Sequence, residues 1–224
     1  MHIANLTEKA QDYLKTIFDL QEWSDEPATL GRIAERLNQR TSTASEAIKR
    51  LGAQGLVKHS PYSAIELTDT GRALALQMVR RHRLIETYLF EKLGYTLSEI
   101  HDEAEELEHA VSDAFINRIE KIMGFPQRDP HGDPIPSVDG HINPEPIISL
   151  TESTVGRSYT IDRISDRDPD TLNYLEAHDI VPNAILTVTA RPFPDLIELS
   201  TERGSVKLSA GVMSAVKLRI NGSE

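Results

Sequence analysis

Apolar residues recur at helical spacing through most of the first 125 positions and alternate with polar ones from about residue 149 onward. Leu6, Ala10, Tyr13, Leu14, Ile17 and Leu20 trace one helical stripe, started by Thr7 and Glu8, with Asp12 at its edge. After a polar break over 22–27, Leu30, Ile33, Ala34 and Leu37 predict a second helix, stopped by Asn38 and Gln39. Ala44, Ala47, Ile48 and Leu51 predict a third, with Thr41 or Ser42 as its cap. Two short helices joined by a tight polar turn are the helix-turn-helix pattern. Gly55-Leu56-Val57-Lys58-His59, a turn at Pro61-Tyr62-Ser63, and Ala64-Ile65-Glu66-Leu67-Thr68 then predict the two-stranded wing of a winged helix.

Asp69-Thr70 opens a long helix predicted to reach about Lys92, and Gly94 ends it. The next helix begins after Thr96 and is predicted to run through Ala110, Val111, Ala114 and Phe115, because no Gly or Pro intervenes before Gly124. Phe115, Ile116, Ile119, Ile122 and Met123 form an apolar face suited to self-association. Six of the twelve prolines fall between Pro126 and Pro146, beside Gly132 and Gly140, which marks a linker or an irregular ordered loop. Strands are predicted at 159–161, 185–189, 196–199, 206–208 and 215–220, with a short helix at 171–178. Five short strands in that span suggest a small SH3-like barrel. The expected fold is mainly α with a small β part. It has a winged helix-turn-helix over 1–72, a helical metal-binding and dimerisation domain over 73–140, a linker over 141–149 and an SH3-like domain over 150–224.

Composition narrows the chemistry. The 224 residues include no cysteine, so disulfides and thiolate metal sites are excluded. No apolar run approaches the roughly 20 residues of a membrane span, and the N-terminus lacks a signal-peptide core, so a cytoplasmic protein without a membrane partner is expected. The net charge of −11 is unevenly placed. Residues 1–80 are neutral, and all the excess acid lies beyond them. Bound divalent ions would offset some of it.

That acidic part contains His101-Asp102-Glu103-Ala104-Glu105-Glu106-Leu107-Glu108-His109. At about 100° per residue, His101, Glu105, Glu108 and His109 share one helix face, whereas Asp102, Glu103 and Glu106 point elsewhere. Two imidazoles and two carboxylates on one face form a donor set for a hard or borderline divalent cation. Read alone, the stretch also fits a solvated acidic helix. His82 and Glu86 lie four apart, on one face of the preceding helix. If the two helices pack antiparallel, His82, Glu86 and His101 converge on a second site.

The exposed side of the third helix offers Thr41, Ser42, Thr43, Ser45, Glu46, Lys49 and Arg50, flanked by Arg40 and Lys58. Short hydroxyls suit phosphate and base-edge contacts, and the cations suit phosphates. Glu46 is compatible with DNA where it accepts from a cytosine amino group.

With these residues in view, the whole chain resembles the diphtheria toxin repressor family of metal-dependent transcription repressors, and within it the manganese-responsive branch. The resemblance rests on Tyr13-Leu14-Lys15-Thr16-Ile17, Arg32-Ile33-Ala34-Glu35-Arg36-Leu37, Leu67-Thr68-Asp69-Thr70-Gly71-Arg72 and Arg81-His82-Arg83-Leu84-Ile85-Glu86. It continues through His101-Asp102-Glu103-Ala104, Glu108-His109 and Gly132-Asp133-Pro134-Ile135-Pro136. It implies a homodimeric repressor, not an enzyme, that binds palindromic operator DNA and controls metal-homeostasis genes. Asp12, Glu105, Glu108 and His109 are its implied primary ligands. His82, Glu86 and His101 are the implied second site, with Asp168 as the matching carboxylate from the C-terminal domain. His131 with Asp129 resembles secondary-site ligands of another manganese-responsive subgroup. The iron-responsive branch carries Met at the position of Asp12 and Cys at that of Glu105. Manganese is therefore the expected cofactor, iron the alternative, and zinc or other divalent ions substitutes. At Lys15 the two-metal manganese proteins carry glutamate, which argues against a closely spaced metal pair. The competing readings are an iron-dependent repressor of the same family and a di-metal carboxylate enzyme. The enzyme would need two Glu-x-x-His pairs, and the chain has one, Glu106-x-x-His109.

Overall fold

The computed structural model describes residues 2–23, 26–60, 63–143 and 145–219. The chain forms two compact units, Met1–His82 with Pro136–His141, and Arg83–Ile135 with Ile142–Glu224. No helix among the described residues is long and apolar enough to cross a membrane.

In the first unit, α1 (Glu8–Trp23) buries Tyr13, Leu14, Ile17, Phe18 and Leu20, the predicted stripe. Thr29 caps α2 (Leu30–Arg36) by accepting from the Arg32 N–H at 3.3 Å. The turn that follows places Asn38 at φ 48°, a left-handed conformation that asparagine tolerates. The next helix, α3 (Thr41–Ala53), corrects the expected cap. Arg40 is the N-cap and makes no side-chain capping bond, so Thr41 and Ser42 lie inside the first turn with their hydroxyls exposed. Val57 and Lys58 in β1 (Val57–Lys58) pair antiparallel with Leu67 and Glu66 in β2 (Glu66–Leu67), which makes the wing. Pro61 and Tyr62 of the predicted turn lie outside the described residues. At the start of α4 (Asp69–Tyr88) only glycine fits. A Cβ on Gly71 would sit 1.9 Å from the Leu56 carbonyl oxygen.

In the second unit, α4 ends in a π-helical turn, Leu89–Leu93, closed by Gly94 at φ 77°. A Thr96–Glu99 capping box starts α5 (Leu97–Ala110). The predicted continuous helix breaks here. Val111 is extended, and Ser112 accepts from the Phe115 N–H to start α6 (Asp113–Met123). The break needs no Gly or Pro, because a serine cap satisfies a new N-terminus equally well.

The proline-rich stretch forms an irregular loop held by hydrogen bonds. Asp129 and Asp133 exchange hydrogen bonds, and the buried Arg83 and Arg163 guanidiniums hold the two carboxylates. Six strands follow: β3 (Ile147–Ser149), β4 (Ser158–Ile164), β5 (Ile185–Phe193), β6 (Leu196–Thr201), β7 (Gly204–Ser209) and β8 (Val216–Arg219). They form one antiparallel sheet in the order β3-β8-β4-β5-β6-β7, one strand more than expected. The expected last strand ran to Ile220, which lies outside the described residues. Helix α7 (Pro169–Ala177) packs on α5, and α8 (Ala210–Ser214) precedes β8. Inward-facing Ile161, Leu186, Val188, Ile197, Leu199, Leu208 and Leu218 are fully buried, as alternation requires.

Gly132 positions the loop that carries Asp129 and His131. It sits at φ 91°, and a Cβ there would lie 2.2 Å from the Asp162 carbonyl oxygen, a backbone atom that cannot yield. Gly132→Ala is expected to destabilise the protein by at least about 3 kcal/mol, through clash and strain together. Gly94→Ala, also left-handed but with nothing within 4 Å, should cost only about 1 kcal/mol. Urea midpoints of the two variants check this. Equal losses would show that the close approach at Gly132 contributes nothing beyond its φ.

Candidate metal centre and nucleic-acid interface

Helix α5 presents the predicted face. Glu108 is fully buried, whereas His101, Glu105 and His109 are half-buried and Asp102 and Glu106 are exposed. The His109 Nε2 lies 3.6 Å from Glu108 Oε1, and the His101 Nε2 lies 3.7 Å from Glu105 Oε1. Asp12 is a half-buried carboxylate on α1, in the other unit.

Glu86, on α4, is the centre of a second cluster. It is almost wholly buried, and its Oε1 lies 3.6 Å from His101 Nδ1 and 3.9 Å from His131 Nδ1. Glu86, His101 and Asp166 each offer a ligand atom within 4.8 Å of the others, and so do Glu86, Asp129 and His131. His82 lies one turn before Glu86 on the same helix. Glu86 and His101 thus lie close together, and a loop histidine and a loop aspartate lie beside Glu86 as well.

The carboxylate meeting His101 is Asp166, whose Oδ2 lies 2.9 Å from Nδ1, and this corrects the expectation of Asp168. Asp168 is exposed and caps α7, accepting from the Asp170 N–H and the Thr171 hydroxyl. The Thr171 hydrogen bond holds its carboxyl below the usual range. Asp168-Pro169 is a cap followed by proline at the first helical position, a signature that could have reserved Asp168 for capping.

Electrostatics point to a cluster short of positive charge. Burial draws the His101 pKa down, but the Asp166 and Glu86 carboxylates outweigh it and push it up to about 11. Burial raises Asp129 well above the carboxylate range, reinforced by the charges of Asp133 and Glu86 against Arg83. His131 Nε2 lies 3.1 Å from the Leu97 carbonyl, which can only accept, so Nε2 carries the proton. Its other nitrogen, Nδ1, faces the Glu86 carboxylate. A buried group of carboxylates and imidazoles this close together is a donor set that a cation could satisfy. Nitrogen and oxygen donors without thiolate fit a divalent metal of the harder kind.

All nine residues predicted to meet DNA are exposed: Arg40, Thr41, Ser42, Thr43, Ser45, Glu46, Lys49 and Arg50 on or beside α3, and Lys58 on the wing. Arg50 and Glu46 pair at 3.6 Å along α3, so the acid is partly neutralised by its own helix. The Tyr13 hydroxyl donates to Gln39 Oε1 at 2.6 Å, which ties α1 to the turn that leads into α3.

A winged helix-turn-helix followed by helices carrying buried carboxylate–imidazole clusters defines a metal-dependent DNA-binding regulator. Residues 5–65 match the model of the iron dependent repressor N-terminal DNA binding domain. Residues 68–137 match that family's metal binding and dimerisation domain, and residues 148–220 match the FeoA domain. The iron-dependent repressor IdeR of Mycobacterium tuberculosis is 33% identical over 95% of this chain and 97% of its own. A manganese-dependent transcriptional repressor solved in complex with manganese is 47% identical, with a TM-score of 0.89 over 94% of this chain and 99% of that one. ScaR solved with bound Cd2+ is 30% identical, with a TM-score of 0.83 over 94% of this chain and 99% of that one. The chain belongs to the diphtheria toxin repressor family of metal-dependent transcriptional repressors, whose members bind operator DNA, dimerise and are not enzymes.

Proposed function

We propose that this repressor is activated by manganese and binds palindromic operator DNA as a homodimer. The observation that carries the metal assignment is the donor set. Asp12, Glu105, Glu108 and His109 comprise three carboxylates and one imidazole, in a chain with no cysteine. Manganese is the weakest binder of the divalent series, so a sensor must select it by ligand type and geometry, and oxygen-rich sites suit it. The 47% identity to a repressor solved with manganese supports the same reading. In this proposal residues 1–72 read DNA, 73–140 bind metal and dimerise, 141–149 link, and 150–224 form the SH3-like domain.

Glu86 and His101, joined by His82 and Asp166, form the second site in this reading, with Asp129 and His131 as further donors around Glu86. The exposed Phe115 and Ile122 of α6 supply the apolar surface for self-association. A twofold dimer then reads two half-sites about one helical turn, or a multiple of it, apart. Arg40, Lys49, Arg50 and Lys58 meet phosphates, and Thr41, Ser42, Thr43, Ser45 and Glu46 contact phosphates and base edges.

Operator fluorescence anisotropy against free manganese, iron and zinc, under anaerobic conditions, tests the proposal. Full activation is expected with manganese. Zinc is expected to bind yet activate less, because a tetrahedral ion leaves a ligand unused. A response to iron without one to manganese would make this the iron-dependent repressor.

A further inference from the structure

Lys15 is a lysine on α1 that is only 6% exposed. Its Nζ lies 3.4 Å from Nδ1 of His82, itself buried at 7% exposure, and both residues belong to the first unit. Lysine is almost never fully buried without a reason, so the contact is a placed one. An ammonium has three donors and no acceptor. The Lys15 ammonium therefore fixes His82 as the tautomer with its lone pair on Nδ1 and its proton on Nε2. In that state neither ring nitrogen is available to a metal: one lone pair is taken by Lys15, and the other nitrogen carries hydrogen.

We propose that Lys15 is a built-in cation that competes with metal for His82 and so sets the metal concentration at which the second site fills. Metal takes His82 only as the ammonium leaves Nδ1 or as the ring changes tautomer, and either event forfeits the Lys15–His82 hydrogen bond. The two cations exclude each other at one imidazole, so the contact opposes metal at this ligand and favours the metal-free form. This inference rests on the reading of His82 as a metal ligand.

The experiment is equilibrium dialysis and calorimetry with manganese(II) alone, on metal-free wild type, Lys15→Met, His82→Ala and the double variant at one neutral pH. His82→Ala should bind one ion fewer per subunit than wild type. Lys15→Met should fill the second site at about tenfold lower manganese, the scale of a hydrogen bond to a charged group. In the His82→Ala background, where the second site is lost, the same substitution should leave the manganese affinity of the remaining site unchanged, because the effect passes through the imidazole. Nitrogen-15 NMR of metal-free wild type gives a measurement that needs no variant, with His82 expected as the Nε2–H tautomer. Unchanged second-site affinity in Lys15→Met, an equal gain at the site that remains in the His82→Ala background, or an Nδ1–H tautomer would overturn the role of Lys15. If instead His82→Ala keeps the wild-type stoichiometry, the second-site reading itself falls, and the competition with it.

Discussion

Asp12→Ala is expected to fold normally and to lose metal-stimulated operator binding. In the proposed primary site Glu105, Glu108 and His109 all come from α5, so they bind metal without involving the DNA-binding unit. Asp12 is the one proposed ligand on α1. A metal that also recruits Asp12 favours only those arrangements in which α1 is held, and α1 holds the turn before α3 through the Tyr13–Gln39 hydrogen bond. A ligand shifts an equilibrium only by its differential affinity for the two states, so removing the one differential contact removes the shift. Couplings of this kind typically span 5- to 150-fold in affinity. The variant should lose essentially all of that factor for operator DNA while keeping residual manganese binding. Anisotropy titrations with and without manganese, beside far-ultraviolet circular dichroism, measure both halves. Full stimulation of Asp12→Ala would end the mechanism.

Glu105→Cys is expected to reorder the metals. Glu105 is half-buried on the face of α5 that also carries the half-buried His109 and the fully buried Glu108. Replacing its carboxylate by a thiolate leaves the site count unchanged but makes one donor soft, which favours the later metals over manganese. The variant should lose response to manganese by roughly tenfold or more in free-metal concentration, the scale of a single lost ligand or its supporting partner. It should gain response to iron or zinc. The readout is the midpoint of operator binding for each metal, measured without oxygen in wild type and variant. An unchanged ranking would show that Glu105 does not set selectivity.

The residue pattern by itself determined the helices, the wing, the alternation of the sheet and the α5 face. Each is a local periodicity: a helix repeats every 3.6 residues and a strand every 2, so side chains on one face can be read from spacing alone. That is why the shared face of His101, Glu105, Glu108 and His109, and separately that of His82 and Glu86, is legible in the sequence. Packing decided what spacing leaves open. Asp166 rather than Asp168 reaches His101 because both lie in irregular chain, where no period fixes direction and the cap of α7 takes one of them. The break at Val111 and Ser112 carries no Gly or Pro, so only the competition between continued helix and a serine cap settled it. His131 and Asp129 reach Glu86 because Gly132 allows a left-handed turn against the Asp162 backbone. Lys15 could be seen as a departure in the sequence. Its burial against His82 depends on α1 meeting α4 across 67 residues of chain, a distance at which side-chain period carries no information.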